Sequence, residues 1–589
     1  MDMVNLLRGE LQKISGVNDV QVEWTKDLSH GDLTSNVAFQ LGGMDSANEI
    51  VEKLKDSEEL KKYVSKIEVA GPGFINFWLS EDYLTTAVKE PHFAKASRGE
   101  QARKVMVEYT DPNPFKEFHI GHLYSNIVGE SLARLFESQG ATVMRVCYQG
   151  DIGLHVAKAL WGLKKKMQDT NFKMQTLEEL ILKERVMILG EAYAMGAAAY
   201  EENPLAADEI KDINRMVFEG NPEIMELYKS GKEWSLAEFE RIYARLGTKF
   251  DKYYFESEVG KFGRELVEKN MGRVFTESEG AIVYNGESEG LHTRVFINSQ
   301  GLPIYEAKEL GLAPTKYDDF PYDLSFIVTG NEINEYFKLL LVVLSKINPE
   351  LATKTHHIGH GMVRLPEGKM SSRTGNVVTG EWLLDEAKRR AMKLGSDSED
   401  SSVIPAHEPE SRSSGSRIKS GMTGTSSADH NADLSEQIAQ AAVKYSLLKS
   451  RVGQDIVFDF DESLSFEGNS GPYLQYTYAR IRSLLRKSQG DPTPLDASLG
   501  AGKLGDVELG LVRMVVRFPE VVETAAKNYS PHVVCGYLYE LAQVYNSFYN
   551  AGKIVGGDRE KEGLLVSQLV GEVIKEGLFL LGIGAPERM

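Results

Sequence analysis

Residues 103–126 read RKVMVEYTDPNPFKEFHIGHLYSN, and their reading decides the fold. Lys104–Tyr109 is a short Val-rich apolar run, the pattern of a buried strand. Asp111-Pro112-Asn113-Pro114 breaks it, because two prolines two apart cannot continue a ladder. From about Glu117 the spacing predicts a helix, with Ile120, Leu123, Ile127, Val128 and Leu132 on one face. Gly140 closes that helix and Val143–Tyr148 returns to a strand, which completes one β–loop–α–β unit of a parallel, nucleotide-binding sheet. In the first turn sits His119-Ile120-Gly121-His122, two imidazoles on one helix face beside free backbone N–H groups. The absent side chain at Gly121 leaves room for a flat base. An anion there meets N–H donors, the positive end of the helix dipole and imidazoles able to donate hydrogen bonds. By its chemistry this is a triphosphate site.

The tetrapeptide occurs twice, and His357-Ile358-Gly359-His360 repeats it without a strand–proline–loop lead-in. That copy runs into Gly361-Met362-Val363 and reads as strand and turn. Context carries the signal. No third ligand of the zinc-protease type lies near His119 and His122, so no metal site is expected there.

With 589 residues, 42% hydrophobic and 26% charged, the chain has room for three or four domains of ordinary globular composition. No apolar run reaches membrane-spanning length, and the acidic-containing amphipathic start is not a secretory or transit signal. Two distant cysteines, Cys147 and Cys535, argue for a reducing compartment, and the cytoplasm is expected. A net charge of −19 speaks against wholesale nucleic-acid binding, so any such surface must collect its cations locally.

Residues 1–98 read as a small α+β domain, with a helical segment Asn48–Ser65 and a strand–turn–strand over Lys66–Leu79. Gly150-Asp151-Ile152-Gly153 is a tight loop at the carboxyl edge of the sheet. From His155 to about Lys249 the pattern is helical and charged, and Lys164-Lys165-Lys166 reads as a solvated face. Strand signals resume at Ala281–Tyr284 and Thr293–Ile297; Tyr305 and Glu309, four apart, share one side of the next helix. Asp323–Thr329 is a further strand, running into Gly330-Asn331-Glu332. Residues 396–432 are rich in Ser, Gly and charge, cannot bury a core and are expected to be a loop. From about Leu434 the chain reads as helical to its end. Tyr473–Lys487 gathers four basic residues and three tyrosines with no acid, the composition that stacks bases and holds phosphates, although Tyr473 and Tyr476 serve equally well as core.

The strand, Pro-Asn-x-x-Lys and His-Ile-Gly-His resemble the first signature of class I aminoacyl-tRNA synthetases. Gly368-Lys369-Met370-Ser371-Ser372-Arg373-Thr374-Gly375-Asn376 resembles the second. Glu108-Tyr109 ahead of Pro112-Asn113, together with His30-Gly31-Asp32, Ala70–Phe77 and the terminal Ala585-Pro586-Glu587-Arg588-Met589, is similar to the arginyl-tRNA synthetase family. The resemblance implies a tRNA-elbow-binding domain over 1–98 and a Rossmann-type catalytic domain over 99–395 with a helical insertion at about 155–250. It further implies an insertion at 396–432, an all-α anticodon-binding bundle over 433–589, and a monomer. The implied partners are L-arginine, ATP with Mg²⁺, and tRNA(Arg). Readings as a synthetase for another amino acid, a non-catalytic RNA-binding paralogue or a small nucleotidyltransferase are less well matched.

Roles follow by resemblance. Lys116, His119, His122 and Lys369 would be catalytic, and Gly121, Gly361, Met362, Val363, Ser371 and Ser372 would join the histidines and Lys369 around ATP. Ser372 stands where the general motif has a second lysine, and Lys116, or else Arg373, would replace that charge. Glu108 and Asn113 would hold the α-amino end of arginine, and Tyr305, Glu309 and Glu256 would surround its guanidinium, with Glu332 nearby. Glu309 stands where the family usually has Asp. Tyr473, Tyr476, Arg480, Arg482, Arg486 and Met589 would meet tRNA.

Overall fold

The computed structural model describes residues 3–25, 28–87, 102–169, 177–366, 379–397, 427–488 and 504–589. At its centre is a five-stranded parallel sheet in the order Thr355–His360, Leu324–Gly330, Lys104–Tyr109, Thr142–Gln149, Lys252–Phe255. The chain leaves the middle strand, Lys104–Tyr109, in one direction through the next two strands and later returns on its other side. That reversal opens a crevice at the carboxyl ends, where such sheets bind ligands.

The helix Ile120–Ser138 enters that crevice, buried on nearly every face. Ser125 ties it to both neighbouring strands: its Oγ accepts the Thr110 N–H at 2.9 Å and donates to the Val328 carbonyl at 2.6 Å. A Cβ at Gly129 would lie 2.2 Å from the Tyr109 ring, so only glycine allows this closeness to the strand. The β–loop–α–β expectation holds, with the helix starting at Ile120 rather than Glu117 because His119 caps it.

Helices Leu154–Asp169, Leu182–Glu202, Pro204–Glu219 and Pro222–Leu246 lie in the insertion between the strands Thr142–Gln149 and Lys252–Phe255. Its lysines behave as expected of a solvated face: Lys165 pairs with Glu209 at 3.2 Å and Lys166 with Glu191 at 2.7 Å. A three-stranded antiparallel sheet adds Thr276–Ser278 to the two expected strands.

In the N-terminal region, helices Met3–Ser15 and Met44–Lys55 accompany a four-stranded antiparallel sheet. The helix expected over Asn48–Ser65 ends ten residues sooner, and Val64 already pairs with Leu79. A β-branched side chain with a partner in the ladder outweighs weak helical periodicity.

Two corrections concern the region expected to be a loop. The helix Gly380–Asp397 runs into it and the helix Ser427–Leu448 begins inside it, so residues 427–432 are helical. Apolar periodicity from Ile438 onward supports that helix through tertiary packing, while residues 427–433, at its start, carry no large apolar side chain to give a sequence signal. The C-terminal part is also not wholly helical, since Ile456–Val457 pairs in parallel with Val363–Arg364.

Helices Gly471–Lys487, Asp506–Lys527, Pro531–Ala551 and Glu560–Leu580 complete the chain. They are fastened to the sheet domain at its back. Buried Lys444 donates to the Leu246 carbonyl at 2.7 Å and the Gly582 carbonyl at 2.6 Å. Ser131 and Arg134 of the crevice helix donate to the Leu580 and Phe579 carbonyls. The N-terminal unit meets the same bundle through buried Asp32, 2.6 Å from Arg513, and through Trp24 on Glu520.

Candidate active site

The loop before the crevice helix is held in an unusual backbone path: Thr110, Asp111 and Phe115 all adopt positive φ, at 80°, 43° and 68°. Each such non-glycine residue costs on the order of 1–3 kcal/mol and persists where its surroundings impose it. The constraint at Phe115 is visible. Its N–H donates to Ser235 Oγ at 2.9 Å, and its ring fills the space left by the missing side chain of Gly231, where a Cβ would lie 2.2 Å away.

His119 then caps the helix. Its Nδ1 accepts the Gly121 N–H at 3.1 Å, and the Nδ1 of His122 accepts the His119 N–H at 3.3 Å. A Cβ at Gly121 would press on the His119 ring at 3.0 Å, so this glycine first serves the cap. The two rings stack with centroids 3.6 Å apart. With both Nδ1 atoms accepting, the neutral rings carry their protons on Nε2. They stay neutral at pH 7: the low-dielectric walls around the mouth of the cleft, then Lys116 and His360, hold His119 down to about 4, and burial followed by His119 holds His122 well below its ordinary value. Lys116 is itself lowered by burial and by Lys158, and its ammonium lies 5.3 Å from the Tyr193 ring. Its charge reaches His119, His122, His155 and Glu256 alike, so it stands between the histidines and the carboxylates.

Those carboxylates form the second half of the site. Glu108 is buried and 2.6 Å from Lys316; Glu256 is buried against Lys308. Asp111 accepts the Tyr148 N–H at 2.7 Å, and Glu309 projects from the helix Tyr305–Asp319. Burial and then the Glu108 charge hold both Asp111 and Glu309 well above the usual carboxylate range. Four acidic groups thus face two lysines. Asn113 and Glu256 converge over Gly150, where a Cβ would lie 2.3 Å from Asn113 Oδ1 and 3.1 Å from Glu256 Oε1. Tyr305 borders this group, its ring 5.1 Å from Tyr336.

The structure therefore brings Glu108, Asn113, Glu256, Tyr305 and Glu309 together beside Lys116, His119 and His122. The strand Leu324–Gly330 runs directly into a 3-10 turn, and exposed Glu332 of that turn folds back over Gly330, where its charge reaches His360. Gly361 packs against the Gln454 carbonyl, the Met362 N–H donates to Asp455, and Val363 is buried in its strand pair; the chain reaches the histidines through His360, whose ring is 4.5 Å from Tyr124. Lys369, Ser371, Ser372 and Arg373 lie outside the described residues. Just beyond them, Thr379 bridges to His119 and the Gly380 N–H donates to the Phe118 carbonyl at 2.9 Å.

On the helix Gly471–Lys487, Tyr473 accepts from Asn546, and Arg480 stacks on Tyr476 and Tyr549 with centroid distances of 4.7 and 5.0 Å. Arg482 and Arg486 both reach Glu587 of the terminal segment, which ends in partly exposed Met589. Some of the positive charge read from the sequence is thus spent on holding the terminus.

Sequence reasoning missed Asp111, Lys308, Lys316, Asp151, His155 and His360 as site residues. Asp111 stood inside the deciding stretch but read only as a strand breaker. His360 had a signal in the repeated tetrapeptide. The lysines had none, because a pairing 208 residues apart leaves no local pattern.

Three family models match the chain: tRNA synthetases class I (R), catalytic domain, over residues 85–420; DALR anticodon binding domain over 474–589; and Arginyl tRNA synthetase N terminal domain over 2–79. The arginine–tRNA ligase of Flavobacterium psychrophilum is 31% identical over 538 residues, 88% of this chain and 85% of the relative. That of Bacteroides fragilis is 30% identical over 600 residues, 97% of this chain and 96% of the relative. Among solved structures, the arginyl-tRNA synthetase of Thermus thermophilus superposes with a TM-score of 0.76 at 24% identity over 100% of both chains. The Plasmodium falciparum enzyme gives 0.76 at 22% identity, covering 100% of this chain and 98% of the other.

Proposed function

The chain belongs to the arginyl-tRNA synthetase family, and from that premise we propose that its cleft joins L-arginine to ATP and then to the terminal ribose of tRNA(Arg). In the first step an oxygen of the arginine carboxylate attacks the α-phosphorus, the bond to the bridging β-phosphate oxygen breaks, and pyrophosphate leaves. In the second, a ribose hydroxyl attacks the arginyl carbonyl and AMP leaves. Charge grows on phosphate oxygens in the first step, so the site has to supply donors and position more than an acid–base pair.

His119 and His122 meet that need as neutral Nε2–H donors at a helix N-terminus. Lys116 adds a positive charge beside them and takes the place of the missing second signature lysine. Mg²⁺ would arrive on the phosphate oxygens of ATP.

The observation that carries the choice of amino acid is the imbalance of four carboxylates over two lysines in one buried group. A guanidinium and an α-ammonium supply the two missing positive charges, and the planar fork of arginine pairs with carboxylates bidentately where a lysine offers a point charge. A neutral amino acid would leave those carboxylates buried and unpaired, which is rejected strongly enough that no editing site is needed. We place tRNA along the Gly471–Lys487 helix and its partners, and the enzyme in the cytoplasm as a monomer. No helix among the described residues is long and apolar enough to cross a membrane.

ATP–pyrophosphate exchange with each amino acid, with and without tRNA, tests this reading. Exchange with arginine alone among them, and with tRNA present, is the expected result. Exchange with another amino acid, or none under any condition while tRNA still binds, overturns it.

A further inference from the structure

One helix of the insertion touches both the loop that carries Lys116 and the carboxylate, Asp151, that holds the turn after Glu256. On Pro222–Leu246, residues Tyr228, Gly231, Lys232, Ser235, Phe239 and Tyr243 face the sheet domain at helical spacing. Phe239 and Tyr243 pack against Phe118, beside the histidine cap. Ser235 works further up the loop: its Oγ accepts the Phe115 N–H and donates to the Gly231 carbonyl at 2.8 Å. Because Phe115 is held at positive φ by this contact and by the close approach of Gly231, the direction in which the next residue, Lys116, leaves the loop is set from the insertion.

One turn away, Lys232 reaches the other end of the cleft through a carboxylate. Asp151 is fully buried and saturated: Oδ2 accepts from Lys232 at 2.7 Å, Tyr228 at 2.9 Å and Ser257 Oγ at 2.6 Å, and Oδ1 accepts the Ser257 N–H at 2.9 Å. Ser257 directly follows Glu256 in the first turn of the helix Glu256–Lys269. The position of that turn, and with it the aim of the Glu256 carboxylate toward Asn113, is set by Asp151. The Lys232 ammonium also lies 3.7 Å from the ring of Phe255, the residue preceding Glu256.

We propose that Ser235 and Lys232 are positioning residues that hold the two substrates in register, Ser235 acting on the nucleotide end through Phe115 and Lys116, and Lys232 on the arginine end through Asp151, Ser257 and Glu256. The proposal rests on the assignment of Lys116 to the phosphates and Glu256 to arginine made above. A rigid helix is suited to this task, since in-line attack requires the two reactants to be held to within a fraction of an ångström.

The test is a split of Michaelis constants in arginine-dependent exchange, with the full chain and saturating tRNA. Ser235→Ala is expected to raise KM for ATP about tenfold and leave KM for arginine within about twofold; Lys232→Met is expected to do the reverse. Ser235→Thr and Lys232→Arg, which keep the hydroxyl and the charge, are expected to restore most of each loss. A purely structural role would move both constants together with thermal stability, and that parallel change, or no change in either constant, overturns the proposal. Where Lys232→Met yields too little folded enzyme, Tyr228→Phe removes a single donor to Asp151 and is read the same way. Failure of wild-type exchange with arginine would instead count against the site assignment, so the two failures are distinguishable.

Discussion

The same four residues, His-Ile-Gly-His, occupy 119–122 and 357–360, and they do different work. In the first copy the chain is entering a helix, so residues three apart share a face, and the rings stack at 3.6 Å with both Nε2 atoms free to donate. In the second the chain is an edge strand, where an odd separation sends the two rings to opposite faces. His357 lies flat on Phe337 at 4.0 Å and hydrogen-bonds Thr329 at 2.7 Å, while His360 turns toward Tyr124 and the first copy. A short motif therefore states a chemistry only through the secondary structure that presents it. The proline-broken loop ahead of His119 supplies that structure, and nothing equivalent precedes His357.

The largest effect that separates the copies is expected at His122. His122→Ala removes a preorganised donor from the phosphate end, and exchange is expected to fall by about 10²–10³-fold or more, with tRNA affinity nearly unchanged. Steady-state exchange together with a tRNA binding isotherm measures both. Turnover equal to wild type would remove the first copy from the phosphate site.

A second, smaller effect concerns pH. An ordinary imidazole gains its proton near pH 6.5, yet His119 is held down to about 4. Acceptance by its Nδ1, which caps the helix at Gly121, should therefore persist as pH is lowered through 6.5, and kcat for exchange should show no limb attributable to this histidine until pH approaches 4. Stability follows the same shift with a definite sign. A histidine whose folded value is depressed binds fewer protons folded than unfolded between about 4 and 6.5, so its contribution to stability is complete above that window and is lost as pH falls through it. Replacing His119 with Asn should flatten that part of the stability profile, which urea midpoints at several pH values would record. An unchanged slope would mean that the ring is solvated like a free imidazole.

How far the sequence carried each half of the cleft follows from the range of the interactions. The histidine end was legible because strand, break, cap and helix are consecutive, and each is written in local pattern. The carboxylate end was legible in part: Glu108 and Asn113 lie in the same stretch, and Tyr305 and Glu309 share a helical face. The fold-back of Glu332 over Gly330 was not legible, because it depends on a 3-10 turn that directly follows the strand, a detail finer than any periodicity. Asp151, Lys308 and Lys316 were invisible for another reason. Their partners lie 81, 52 and 208 residues away in the chain, and only the folded sheet brings them together. The same holds for Ser235, whose partner at Phe115 is 120 residues distant.

The smallest effect on catalysis is expected in the second copy, and it sharpens the contrast most directly. His357 is stacked on Phe337 and bonded to Thr329 on the side of the strand away from the stacked pair. Its value is lowered to about 4 by burial and then by His360, so the ring is neutral and acts as a packed, hydrogen-bonded core group. His357→Ala would remove an aromatic stack and one hydrogen bond, a loss of about 1–3 kcal/mol in stability. Exchange kinetics below the unfolding transition should stay within about twofold of wild type, since no donor to phosphate is lost. If exchange instead fell as far as in His122→Ala while stability held, the second copy would be part of the phosphate site, and the distinction between helix cap and edge strand would no longer explain which histidines act.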